Sequence, residues 1–210
     1  MPHIEYRGSD GKIWPSSTQL TRLLPADWVM AWYKRSVEKK GYQGWLDNLK
    51  LSEEGKLIGT QVHERLEHLV LKQPIVEYDT RAGEYAQAIY NVLNPKIEEY
   101  VKIEPHLVSE ELKIHGTADL IARLNYQTGL WILDYKTSYK KDISHPIQLA
   151  IYAKSWNEQN TEQIDQGAII RIDKKSKNLN VKIDEYLGLK QYLPVIKALR
   201  EIWSYVNEKE

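Results

Sequence analysis

Apolar positions recur along this chain with two periods, and the change from one to the other divides it. Over residues 52–71, Ile58, Val62, Leu66 and Leu69 repeat at steps of four and three, which predicts a helix with one apolar stripe. Residues 81–94 predict a second helix, with Tyr85, Ile89 and Val92/Leu93 inward. Asn94-Pro95 marks a break or a restart, and 98–101 finishes that segment. The pattern then shortens to that of strands. Residues 107–114 read as a strand with Val108, Glu110 and Leu112 on one face. The apolar runs 120–124 and 130–133 flank Asn125-Tyr-Gln-Thr-Gly129, whose turn chemistry predicts a hairpin.

A helix follows from His145-Pro146 to about residue 158, with Leu149, Ala153 and Trp156 as its apolar stripe. Residues 168–172 and 179–183 alternate as short strands around a basic loop at 173–178. Residues 188–206 predict a last helix whose core face holds Tyr192, Val195/Ile196, Leu199, Ile202/Trp203 and Val206. At the other end, 4–14 reads as a short strand or extended arm turning at 9–11, and Trp14-Pro-Ser-Ser-Thr18 as a loop ending in a helix cap. With no internal repeat or low-complexity linker, the chain is expected to be one domain. An N-terminal strand and aromatic-rich helical cap (1–51) precede a core (52–185) and a C-terminal helix (186–210).

Composition narrows the chemistry. The 210 residues include no Cys, which excludes disulfides, thiolate zinc sites and iron–sulfur clusters. The absence of any long apolar run or signal-like N-terminus gives the expectation of an intracellular, cytoplasmic protein without a membrane partner. A formal net charge of zero supplies no global pull toward nucleic acid, although Lys136, Lys140, Lys141, Arg171, Lys174, Lys175 and Lys177 offer a local basic groove. Residues 27–51 interleave Trp28, Trp32, Tyr33, Tyr42 and Trp45 with Lys34, Arg35, Lys39 and Lys40. They read either as a surface that stacks on bases or as an amphipathic cap with its aromatics inward. The cap is preferred, because aromatics at helical spacing are usually core.

The predicted hairpin carries the candidate chemistry. It brings Asp119, before its first strand, back beside Asp134 at the end of the second, and Lys136 shares a strand face with Asp134. Two carboxylates and an ammonium on one wall of a sheet suit a hard divalent cation and a phosphate. His63 and Glu67 lie one turn apart beside the apolar stripe of their helix, either at a buried site or as an ordinary boundary pair. His63 and His68 are five apart, so His63-Glu-Arg-Leu-Glu-His68 is not a zinc-protease helix. Glu110 and Glu111 are alternative further acids, and both fit a solvated edge equally well.

Taken in order, these residues resemble the PD-(D/E)XK nuclease superfamily, in its RecB-like branch. Gly59-Thr-Gln-Val-His63-x-x-x-Glu67, Gly116-Thr-Ala-Asp119, Asp134-Tyr-Lys136 and Gln148-Leu-Ala-Ile-Tyr152 are similar to four successive motifs of that branch. The N-terminal region resembles cluster-free exonucleases of the mitochondrial-genome-maintenance and phage type. The resemblance implies an α/β, restriction-endonuclease-like core, a central mixed sheet flanked by helices. It implies Mg²⁺ or Mn²⁺ held by His63, Asp119, Asp134 and the Tyr135 carbonyl, with Lys136 catalytic. Gln148, Tyr152 and Glu67 would position DNA or brace the site. The implied activity is metal-dependent DNA hydrolysis, exonucleolytic on single-stranded ends, in replication, repair or recombination. An endonuclease of phage or mobile-element recombination and an inactive DNA-binding module are the alternatives.

Overall fold

The computed structural model describes residues 5–25, 27–74, 79–138, 140–173 and 179–208. Its centre is a mixed five-stranded sheet in the order β3-β6-β7-β8-β9. These strands are β3 (Ile97–Ile103), β6 (Leu120–Leu124), β7 (Leu130–Lys136), β8 (Gln166–Asp173) and β9 (Asn180–Leu187). All neighbours run antiparallel except β7 and β8, which are parallel and joined through helix α4 (Ser144–Gln159). The predicted 120–133 hairpin forms, with Leu120 opposite Leu133.

Strand β7 is apolar on both sides because helices cover both faces of the sheet. Its Leu130 and Ile132 join a core with α4 and with α5 (Leu193–Asn207). Its Trp131, Leu133 and Tyr135 join a second core with α3 (Thr80–Leu93) and the C-terminal half of α2 (Asp27–Leu71). The helical stripe Ile58, Val62, Leu66 is buried there as its spacing predicts. Two short ribbons complete the chain: β1 (Tyr6–Arg7) with β2 (Ile13–Trp14), and β4 (His106–Ser109) with β5 (Ile114–Thr117). Between them lies α1 (Ser17–Thr21), capped by Ser16 and Gln19 in a reciprocal capping box.

Four expectations change. Residues 98–101 belong to edge strand β3 instead of ending a helix. Two register shifts against β6 break the alternation that would mark a strand. Residues 107–114 are not one strand: Glu110 to Lys113 form the turn between β4 and β5. The last helix starts with a 3-10 turn, Leu189–Tyr192, and only Ile196, Leu199 and Trp203 of its expected stripe are buried in α5. Val92, Val195, Ile202 and Val206 are exposed.

The largest correction concerns residues 27–51. Within α2, Gly41 adopts φ 58° and ψ −146°, outside helical space. Tyr33 and Trp45 then meet at 4.6 Å between ring centroids, and Ser36 Oγ donates to Asn48 Oδ1 at 3.2 Å. Residues twelve apart would be about 18 Å apart on a straight helix, so the chain folds back at Gly41. Trp32 lies against Tyr33, so Trp32, Tyr33 and Trp45 pack on each other, while Trp45 and Tyr42 stay exposed. They do not enter the central core.

Candidate active site

The hairpin register that pairs Leu120 with Leu133 sets Asp119 beside the end of β7, where Asp134 is almost fully buried. Asp119 ties three elements together. One carboxylate oxygen accepts the Tyr135 N–H at 2.5 Å, and the other lies 2.9 Å from His63 Nδ1 on α2. Its backbone carbonyl accepts the N–H of Glu104, just past β3, at 3.0 Å. His63, Glu104 and Asp119 each offer a ligand atom, all within 4.8 Å of one another. Asp134 Oδ2 lies 2.5 Å from Lys136 Nζ.

Charge is tightly balanced here. Burial opposes an imidazolium at His63, but Asp119 and then Asp134 outweigh it and raise the ring to about 9. Burial pushes the Glu104 carboxyl up to about 8, with Asp119 adding to the effect. Burial works against the Lys136 ammonium too, yet Asp134 and Asp119 raise its pKa and keep it charged. Protons on His63 and Glu104 thus offset crowded negative charge. One imidazole and two carboxylates converging so closely fit a divalent cation, which would take over that role.

Gln148 and Tyr152 lie on α4, against the face of the sheet opposite α2. Gln148 Nε2 donates to Tyr152 Oη at 2.8 Å, and Ser17 Oγ to the same oxygen at 3.1 Å. The Gly116 of the second motif makes room for them: a Cβ there would fall 2.8 Å from Tyr152 Cε1 and 2.7 Å from Ser17 Oγ. Tyr135 is buried and its ring meets that of His63 edge-on at 5.9 Å. Glu67 lines an open cleft of about 770 Å³ along α2, together with His63, Glu104, Gly59 and Thr137.

Several candidates fall elsewhere. Glu110 accepts a hydrogen bond from Ser9 at 2.6 Å, and Glu111 pairs with Lys154 and Lys197 on the surface. Neither reaches the site, and Glu104, which the periodicity passes over, takes the place considered for them. Arg171 is buried against Asp184, and Lys141 lies 2.7 Å from the same carboxylate, so these two do not form a basic groove. Lys174, Lys175 and Lys177 lie outside the described residues, as does the Trp28 side chain.

Residues 79–203, more than half of the chain, match the family described as the PD-(D/E)XK nuclease superfamily. The chain belongs to that superfamily. Within this PD-(D/E)XK chain the matched span takes in Glu104, Asp119, Asp134 and Lys136, and begins after His63. Comparison with curated proteins finds no match. Among solved structures the chain is similar to SSO0001, at 16% identity and a TM-score of 0.44, over 92% of this chain and 76% of that one. It is also similar to the alkaline exonuclease LHK-Exo of Laribacter hongkongensis, at 11% identity and a TM-score of 0.40, over 71% and 79% of the two chains. Among the described residues no helix is long and apolar enough to cross a membrane.

Proposed function

We propose that this PD-(D/E)XK protein is a divalent-metal-dependent deoxyribonuclease, acting as an exonuclease on single-stranded DNA ends. The observation that carries the reading is the meeting of His63, Glu104 and Asp119 from three elements beside the buried Asp134–Lys136 pair. His63, Glu104 and Asp119 would hold Mg²⁺ or Mn²⁺, with Asp134 and the Tyr135 carbonyl completing the set. When bound, such an ion supplies Lewis-acid charge to the phosphodiester and eases ionisation of the attacking water.

The chain's own residues do the rest. Lys136 holds a positive charge at the edge of the carboxylate cluster, where it orients the attacking water and offsets charge that grows on the phosphate oxygens. Asp134 fixes the position of that ammonium. Tyr135 N–H holds Asp119 in one orientation, and the Ser17–Tyr152–Gln148 hydrogen bonds tie α4 to α1, with Gly116 packed closely against Ser17 and Tyr152. The preference for single-stranded ends rests on the likeness of the N-terminal region to cluster-free exonucleases.

The test is cleavage of 5′- and 3′-labelled single and double strands and of a circular single strand, with Mg²⁺, Mn²⁺, Ca²⁺ or chelator. Mononucleotide-to-short products from linear single strands with Mn²⁺ or Mg²⁺ are expected, and none with Ca²⁺. Cutting of the circle would replace the exonuclease by an endonuclease. Binding without cutting under any metal would leave an inactive DNA-binding module.

A further inference from the structure

A second cleft, of about 550 Å³, opens between the β1–β2 ribbon and β4–β5. It shares no lining residue with the cleft along α2. The first is lined by His63 and Glu104, and the second by Gly116 and Thr117, which immediately precede the Ala118–Asp119 pair. Its wall is a cluster of three rings. Tyr6 stacks on His115 at 4.9 Å with planes 27° apart and lies 5.4 Å from His106, and the two imidazoles are 5.5 Å from each other.

This cluster is not a piece of core. Trp14 does the structural work of the ribbon, fully buried with its indole N–H on Asp10 at 2.9 Å. Tyr6 and His115 are only half-buried and His106 is exposed. Burial and the neighbouring His106 push His115 down to about 4, so at neutral pH it offers a ring face and no charge. Planar, uncharged or weakly polar rings beside a groove are what unstacked bases rest on, in a sequence-tolerant way. His115 and Asp119 are four positions apart in the chain, so their backbones lie at most about 14 Å apart, the length of roughly four stacked nucleotides.

We propose that Tyr6, His106 and His115 form a base-stacking subsite for the single-stranded DNA flanking the bond that is cut. The proposal rests on the nuclease reading for the identity of the ligand, but its test is read from binding alone. The probe is a fluorescein-labelled twelve-residue oligodeoxythymidylate, titrated with chelator and again with Ca²⁺. Tyr6→Leu and His106→Ala are each expected to raise Kd at least fivefold, while Tyr6→Phe stays within twofold of the wild type. Abasic residues within about four positions of the scissile bond should weaken binding to the wild type and make no difference to Tyr6→Leu. Exposed His106 can be truncated without unfolding the ribbon, and the abasic oligonucleotides test the unaltered protein, so a collapse of Tyr6→Leu does not decide the matter. Unchanged Kd for folded His106→Ala together with indifference of the wild type to abasic residues would overturn the subsite. Absence of any DNA binding would overturn it as well. A wild type that binds and discriminates in this way but cuts nothing with Mn²⁺ or Mg²⁺ would retain the subsite and remove the nuclease reading.

Discussion

Glu104 adopts φ 48°, a left-handed conformation uncommon outside glycine, directly before Pro105. Its N–H on the Asp119 carbonyl holds that conformation, and its carboxyl is thereby turned toward His63 and Asp119. Glu104→Gln keeps the shape and removes one anionic ligand, so cleavage should fall about 10–100-fold at subsaturating metal. Glu110→Gln and Glu111→Gln should cleave as the wild type does, and steady-state rates across a metal titration check all three. Lys136→Ala should lower kcat by about 10²-fold or more with the protein still folded, since an ammonium aimed at developing charge acts mainly in the transition state. At this scale the sequence told most where a strand was regular. Asp119, Asp134 and Lys136 could be placed because two short apolar runs flank a clear turn signal between them. Glu104 could not, because the bulged edge strand before it, Ile-Glu-Glu-Tyr-Val-Lys-Ile, follows neither period. An acid next to a proline at the end of such a run is the only trace it leaves.

Among the elements, the helical hairpin within α2 depends on two glycines used in different ways. Gly41 supplies a backbone angle that a side chain resists, and Gly44 lets the two arms touch. A Cβ on Gly44 would fall 2.2 Å from the Ser36 carbonyl oxygen, whereas one on Gly83 of α3 meets nothing within 4 Å. Gly44→Ala should therefore destabilise the protein by about 1–3 kcal/mol. Gly83→Ala should stabilise it by about 0.4–1 kcal/mol through the unfolded chain. Denaturant midpoints of the two variants measure this opposition. The apolar stripe at Ile58, Val62 and Leu66 was legible because those positions face one core. The aromatic spacing in 27–51 misled because the same period serves two arms packing on each other, and no local rule says which partner a stripe will find.

For the whole molecule, the sheet carries helices on both faces: His63 reaches Asp119 from one, and Gln148 and Tyr152 lie on the other. Burial carries a cost in acid. His145, 4% exposed at the start of α4, is lowered from 6.5 to about 4 by burial, with Lys136 adding to it. Asp142 and Asp184 oppose the shift and Arg171 favours it. Because the folded value lies below the unfolded one, the unfolded chain binds the extra proton. Stability is full above pH 6.5 and falls as pH drops toward 4, by up to about 3 kcal/mol from this group. His145→Asn should flatten the loss between pH 7 and pH 5, as read from denaturant midpoints at each pH.

The central claim is that the carboxylates of Glu104 and Asp119, with His63, bind the metal that cleavage requires. It is tested by the rate of single-stranded oligonucleotide cleavage as a function of Mn²⁺ for the wild type and His63→Ala. Saturable cleavage abolished by chelator is expected for the wild type, with the half-saturating Mn²⁺ raised about tenfold or more in His63→Ala. Cleavage that persists in excess chelator, or an unshifted metal curve in a folded His63→Ala, would contradict the account.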